Sequence, residues 1–388
     1  MIGREAGLAV SLDVSAVPLR LGGVGYYTQA IATGLAERDD VMLTMVCRRD
    51  DEARWAGLTG PTAALRDVVP SARPARLVFE QTGFPTLLRG LGVAVHHGPH
   101  YTMPTRSPVP CAVTIHDCTF FDHPEWHMRS KAVFFRRAIR RAARQAGVLI
   151  CVSQATAERL VASCDVRAPI AVVPHGVDHV RFTATEPSGG ADAALLGQAG
   201  IPTDRPLVVF VGTLEPRKGV ASLVAAFDRV AEQQPDAVLV LAGQMGWGLA
   251  ETERALAAAR HLDRIIQTGY LSDVAVPALL RQAAVVAYPS LDEGFGLPAL
   301  EALACGAPLV TTEGTAMAEV AGPAARLVPP GDTASLAHAL ESALGESPRS
   351  AAAQQRRALG RSQAALYTWE ASVQQHVVAY ELARVGSQ

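Results

Sequence analysis

Short apolar runs alternate along the chain with longer stretches of helical period. In the first half, Leu8–Val14, Val41–Val46, Val93–His97, Ala112–Ile115 and Val148–Val152 read as strands, and Tyr27–Ala36 as the helix after the first of them. A second series opens with Leu207–Val211 and a helix over Val220–Gln233. It continues through strands at Ala237–Leu241, Ile265–Thr268, Val285–Tyr288, Pro308–Thr311 and Arg326–Val328, with helices between. Strands that are apolar throughout, rather than alternating, are buried on both faces, as in parallel sheets covered by helices. Two such series predict two doubly wound α/β domains. Phe182–Arg205, rich in Pro, Gly and Ser with little periodicity, reads as the connection between them. Leu366–Leu382 reads as a last helix, carrying Trp369 and Tyr380, that either domain could take.

Composition narrows this further. The 388 residues allow two full cores, and 49% hydrophobic with 19% charged residues excludes a disordered chain, a collagen-like repeat and a disulfide miniprotein. The net charge of −2 divides into +4 over residues 1–180 and −6 over the remainder. A mildly basic first half suits anionic partners but is far too weak for a nucleic-acid binder. Six cysteines, none in a C-x-x-C pair, read as reduced thiols of a cytosolic protein. The N-terminus lacks the long apolar core of a signal peptide, and no stretch approaches the roughly 20 apolar residues of a spanning helix. The expectation is a cytoplasmic protein, peripheral at the inner face of the membrane at most. Of 35 basic residues only Lys131 and Lys218 are lysine. Most of that bias reads as genomic, but it draws attention to where the two lysines stand.

Lys218 stands in GTLEPRKG, Gly212–Gly219, directly after the strongest strand of the second half. Ligands of doubly wound sheets bind at the carboxyl ends of strands. Arg217 and Lys218 there suit a diphosphate, the arginine as a bidentate fork and the lysine as a point charge. The bland reading of this segment by itself is a solvated basic turn. PSLDEGFGLPALEALACGAPLV, Pro289–Val310, follows another apolar strand; its turn Gly294–Gly296 leads into a helix with Pro298 in the first turn. Such a helix start offers backbone N–H groups to an anion. Glu293 and Glu301 are eight residues apart. Eight helical residues rise roughly 12 Å, against about 5–9.5 Å for glycosidase carboxyl pairs, so two separate hydroxyl-binding roles are favoured. Arg129–Arg144 carries seven cations and no acid, with Val133, Phe134, Ala138 and Ile139 as an apolar stripe. A solvated helix face is the first reading; contact of Arg136 and Arg140 with an anionic acceptor or lipid is the alternative. GGVGYYTQ contains G-x-G-x-x-T, a weak dinucleotide fingerprint that lacks its third glycine.

The E-G-F-G-L-P-A-L-E segment resembles the E-x7-E motif of the retaining GT-B glycosyltransferases of family 4. GTLEPRKG is similar to that family's diphosphate loop, VPHGVD (Val173–Asp178) to the close of its N-terminal domain, ICVSQATAERL (Ile150–Leu160) to the strand and helix before it, and GGVGYY (Gly22–Tyr27) to its first phosphate-facing loop. The five motifs, in order, cover nearly the whole chain. With TIHD upstream, the GTLEPRK form most resembles bacterial mannosyl- and rhamnosyltransferases of polysaccharide assembly.

The resemblance implies GT-B architecture: two Rossmann-like domains facing a central cleft. Residues 1–180 would be the acceptor side, with 366–388 packing back on it, and residues 181–365 the donor side, with hinge closure through the linker near 175–205. It implies that Arg217 and Lys218 hold the donor diphosphate and that Glu301 binds the ribose. Glu293 and His116, the catalytic candidates, would meet the transferred sugar. The Gly294, Phe295, Gly296 and Leu297 backbone would meet sugar and phosphates, and Gly22 and Gly23 would let the N-terminal loop approach the diphosphate. Asp13, Arg136 and Arg140 are acceptor-side candidates; a turn or cap is the bland reading of Asp13, and a buried core histidine that of His116. The implied reaction is a retaining, metal-independent hexosyl transfer, most simply of mannose from GDP-mannose, to a saccharide, glycolipid or lipid-linked acceptor, with no cofactor. UDP- or dTDP-sugar donors are the alternative. An NAD-dependent oxidoreductase is disfavoured by the defective fingerprint, a pyridoxal-phosphate phosphorylase by the scarcity of lysine, and a non-catalytic sugar-nucleotide binder by the intact motifs.

Overall fold

The computed structural model describes residues 7–18, 21–187 and 190–386. The chain divides into two compact units, Met1–Gly176 together with Trp369–Gln388, and Val177–Thr368.

The first unit carries a parallel sheet of β1 (Leu8–Asp13), β2 (Val41–Arg48), β3 (Ala63–Val69), β4 (Val95–Gly98), β5 (Cys111–Ile115), β6 (Val148–Cys151) and β7 (Ile170–Val172), in spatial order β3-β2-β1-β4-β5-β6-β7. The order reverses between β1 and β4. Chain direction after these two strands diverges to opposite faces, and the crevice this opens at their carboxyl ends is the ligand position of such sheets. Asp13 ends β1, and His116 follows β5. Strands β3 and β7 were not legible in the hydrophobic pattern. β3 is an edge strand with Arg66 and Asp67 exposed, and β7 is an edge strand of three half-buried residues. The two charges interrupt the apolar run of β3, and β7 is too short for a run to stand out.

The glycine-rich GGVGYY segment, expected as a loop, is the beginning of a helix, Gly23–Ala36, with Gly22 as its extended N-cap residue. Its buried face, Tyr27, Ile31 and Leu35, recurs at helical spacing and outweighs the low helix propensity of two glycines. The C-terminal helix, Trp369–Val385, belongs to this unit. Val373, Val377, Ala379, Tyr380 and Ala383 share one core with Val10, Leu12, Tyr27 and Ile31.

The second unit carries β8 (Leu207–Val211), β9 (Val238–Ala242), β10 (Ile265–Gly269), β11 (Val285–Tyr288), β12 (Leu309–Thr312) and β13 (Ala325–Val328), all parallel, in order β10-β9-β8-β11-β12-β13. Here the reversal lies between β8 and β11, the two strands that GTLEPRKG and PSLDEGFG follow. Phe182–Arg205, read from sequence as connection, contains a helix, Ala191–Gln198. Asp192 in it is fully buried and takes both Arg281 Nε (2.6 Å) and Nη2 (2.7 Å), an ion pair that no local pattern signals. That stretch is therefore part of the second unit.

All six cysteines are free, and only Cys164 is not buried. No helix among the described residues is long and apolar enough to cross a membrane.

Candidate active site

In the second unit the residues after β8 and β11 converge. Pro216–Lys218 forms one turn of 3₁₀ helix, and Gly219 follows with φ +66° before the helix Val220–Gln233. A Cβ at Gly219 would run into the carbonyl oxygen of Pro289, so only glycine lets this turn lie against the segment after β11. Leu291 N donates to Arg217 O (2.7 Å), tying the two segments through their backbones.

This contact brings three charges together. Arg217 Nη1 donates to Glu293 Oε2 at 2.6 Å, and Lys218 Nζ is ion-paired with Glu293 Oε1. Ser290 Oγ adds a hydrogen bond to Oε1 (3.2 Å), and Arg217 Nε is paired with Glu215 Oε1 (2.6 Å). Glu293 and Lys218 are each 9% exposed. Burial by itself would raise the Glu293 pKa, but Arg217 and Lys218 outweigh it and hold it at about 2. Burial, and then Arg217, push the Lys218 ammonium below its usual range, against the pull of Glu293. The sequence placed two cations on a loop; the structure gives a buried, interlocked cluster in which Glu293 is already engaged by both.

Gly296, at φ +114°, caps the helix Leu297–Ala304. A Cβ there would lie 2.7 Å from Met317 Cγ, so this turn too requires glycine. Glu301 sits in the second turn of that helix and is half-buried. Burial pushes its pKa up to about 7, with Arg181 as the opposing charge.

In the first unit, His116 is buried among aromatic rings. Tyr27 meets it edge-on (centroids 5.0 Å, 81°), with Tyr101 at 5.6 Å and His175 at 5.8 Å. Its Nε2 lies 2.7 Å from the Pro99 carbonyl, which can only accept, so Nε2 carries the proton. Burial lowers its pKa and keeps the ring neutral. Nδ1 is thus a lone-pair acceptor, the form that receives a hydroxyl donor. Tyr101 is the one non-glycine residue with positive φ (64°) among those described, a conformation uncommon for a bulky side chain. Tyr27, Tyr101 and His175 were not singled out from sequence, although GGVGYY and VPHGVD contained two of them.

The remaining candidates are less open. Asp13 Oδ1 accepts the Ser15 amide (2.9 Å), a turn-forming bond, and burial raises its pKa. Arg136 is half-buried and donates to the carbonyls of Phe120 (2.5 Å) and Phe121 (3.4 Å), so it braces a loop rather than facing solvent. Arg140 is exposed, its guanidinium 5.3 Å from the Phe121 ring centroid. Along the same helix, Arg129–Gln145, the side chains of Arg129, Lys131, Arg137, Arg141 and Arg144 are exposed. Among the described residues no three His, Cys, Asp or Glu side chains form a metal-ligand set.

Two family models match successive parts of the chain. The model of the family described as "Glycosyl transferases group 1" matches residues 193–360, and that of "Glycosyltransferase Family 4" matches residues 21–181. The O-antigen chain mannosyltransferase B of Escherichia coli is 28% identical over 293 residues, 74% of each chain. An MMP alpha-(1->4)-mannosyltransferase of Mycolicibacterium hassiacum is 33% identical over 258 residues, 64% of this chain and 57% of that one. A D-inositol 3-phosphate glycosyltransferase of Kribbella flavida is 31% identical over 244 residues, 58% of this chain and 57% of that one. The aligned part thus spans little more than half of the latter two. Among solved structures, the sucrose-phosphate synthase of Thermosynechococcus elongatus superposes with a TM-score of 0.73 over 96% of this chain and 98% of that one, at 21% identity, a likeness of fold.

Proposed function

The chain belongs to the GT-B glycosyltransferases of family 4, and from that premise we propose that it is a retaining hexosyltransferase using a nucleotide-diphosphate sugar, with GDP-mannose as first choice of donor. The observation that carries this reading is the cluster of Glu293 with Arg217 and Lys218 at the β8/β11 reversal. A nucleoside diphosphate gathers negative charge as the C1–O bond of the sugar breaks. Two cations fixed beforehand, partly out of water, stabilise that charge without reorganising. Cationic side chains then replace a metal ion, and no divalent cation is required. In this reading Glu293 also receives sugar hydroxyls, Glu301 the ribose hydroxyls, and the neutral His116 Nδ1 a hydroxyl of the transferred hexose. The acceptor hydroxyl attacks C1 on the face the leaving group departs from, through a short-lived oxocarbenium-like species, as the C1–O bond to the diphosphate breaks and the hydroxyl proton passes to the departing diphosphate oxygen. The mannose assignment is supported by TIHD and GTLEPRK, and by the activity in the names of two relatives. A UDP- or dTDP-sugar donor is the alternative.

A thermal-shift screen of GDP-, UDP- and dTDP-sugars in excess chelator tests donor and metal together. A matching donor at 100 Kd stabilises by about 2.7 kcal/mol. Transfer in chelator with an α-anomer formed from an α-donor is the expected result. Activity restored only by added Mg2+ or Mn2+, or an inverted product, overturns that part of the reading.

Glu301 makes donor binding depend on pH. Burial raises its pKa in the free protein from the usual 4.5 to about 7, so the side chain is protonated below that value and becomes the carboxylate above it, a change that costs the fold stability between pH 4.5 and 7. Ribose hydroxyls donate to the carboxylate form and favour it. Donor affinity therefore rises with pH, by roughly tenfold between pH 6 and pH 8. Calorimetry at the two values checks this, and Glu301→Gln removes the dependence; an equal slope in that variant assigns it elsewhere.

A further inference from the structure

Five fully buried polar side chains form one hydrogen-bonded circuit behind His116: Tyr27, His97, Thr114, His376 and Tyr380. Its direction follows from one end. His376 Nδ1 lies 2.7 Å from the Ser372 carbonyl, which can only accept, so Nδ1 carries the proton. Burial keeps the imidazole neutral, so Nε2 must accept, and the Tyr27 hydroxyl 2.8 Å away donates to it. The Tyr27 oxygen then accepts from Thr114 Oγ1 (2.7 Å), and Thr114 Oγ1 accepts from His97 Nε2 (2.8 Å). That leaves His97 Nδ1 as acceptor for the Tyr380 hydroxyl at 2.8 Å. Every link has a single permitted direction. The circuit leaves the C-terminal helix at Tyr380, passes through β4, β5 and the first helix, and returns to the C-terminal helix at His376 and Ser372.

Holding that helix in place does not require it. Val373, Val377, Ala379 and Ala383 already pack into the core, and apolar residues would fill the space without five groups that each need a partner. What the circuit adds is orientation. The Tyr27 hydroxyl is held between Thr114 and His376, and the Tyr27 ring stands edge-on against His116, whose other side is fixed by Pro99. Thr114 lies two residues before His116 on the same strand end.

We propose that His376 and Tyr27 are positioning residues for His116: the C-terminal helix, through its hydrogen bond to Tyr27, sets the ring that sets the imidazole. This rests on the reading of His116 as a group that meets the transferred sugar. Tyr27→Phe keeps the ring and loses the hydroxyl. His376→Gln keeps an acceptor near the Nε2 position, and His376→Asn does not. In protein labelled with 15N-histidine, wild type gives one Nε2–H tautomer for His116 in long-range 1H–15N spectra. Y27F and H376N shift or double that signal, and H376Q leaves it single. With the donor identified by the thermal screen, kcat falls roughly tenfold in Y27F and H376N, donor KM stays within about threefold, and H376Q recovers most of the loss. The Y27F/H376N double variant is no worse than either alone, because both break one link. Unchanged His116 signals with wild-type kcat in Y27F and H376N overturn the proposal. A chain that transfers no sugar defeats only the functional reading, because the spectra still decide the positioning.

Discussion

Replacing Lys218 with alanine lowers kcat by roughly 10²–10³-fold while the second unit keeps its fold, the size of effect seen when one preorganised donor to a developing oxyanion is removed. The physical case starts from burial. Lys218 is 9% exposed and its ammonium is held against Glu293, so it is already stripped of most of its water before any ligand arrives. A charge desolvated in advance interacts strongly with the departing diphosphate and costs no rearrangement during the reaction. The fold survives because Glu293 keeps two partners, Arg217 Nη1 at 2.6 Å and Ser290 Oγ at 3.2 Å, and is not left as an unpaired buried charge. Lys218→Arg does not restore activity, since a planar fork on a longer stem does not fit where a compact ammonium is enclosed. Turnover by Lys218→Ala within a few fold of wild type, measured at saturating donor, removes the lysine from the mechanism.

Glu293→Gln produces the largest combined effect, on stability and on activity. The substitution leaves the buried Lys218 ammonium beside Arg217 without the carboxylate that faces both, while Glu215 stays paired with the arginine. Breaking a buried pair by removing one partner costs about 3 kcal/mol, reduced here by the partial exposure of Arg217. The pH dependence has a definite sign. The Glu293 pKa is depressed from the usual 4.5 to about 2, so its contribution is present above 4.5 and is lost as pH falls through 2. The variant lacks that acid-side slope. Because the two cations have lost their carboxylate, a diphosphate takes its place. Saturating nucleoside diphosphate therefore raises the melting temperature of Glu293→Gln more than that of wild type, even as transfer is abolished. A variant with wild-type melting, wild-type acid sensitivity and an unaltered nucleotide shift contradicts the cluster as the diphosphate site.

Much of this molecule can be read from its local patterns. The alternation of apolar runs with helical stretches yielded eleven of the thirteen strands among the described residues; of the two it missed, β3 is interrupted by Arg66 and Asp67 and β7 has only three residues. The segments that follow β8 and β11 were recognisable because their information is local: glycines where the backbone turns left-handed, a proline in the first turn of a helix, adjacent cations after an apolar run. The helix Ala191–Gln198 escaped because its anchor is not local. Asp192 is held by Arg281, on another helix 89 residues away.

The same distinction runs through the candidate site residues. Sequence by itself determined that Arg217, Lys218 and Glu293 follow strand ends, that Glu301 lies in the helix after the Gly294–Gly296 turn and that His116 follows β5, because strand ends, turns and helix starts are set by steric preferences over a few residues. Only the tertiary structure decided that Glu293 bridges Arg217 and Lys218 across 75–76 positions, that Lys218 is buried rather than on a solvated turn, and that Tyr27 is hydrogen-bonded to His376 from 349 positions away. These relations depend on which strands lie side at side and which helix closes over them. Charge pairing and hydrogen-bond direction act through space over a few ångströms, so they take their values from packing, while periodicity along the chain records only which face of each element is buried.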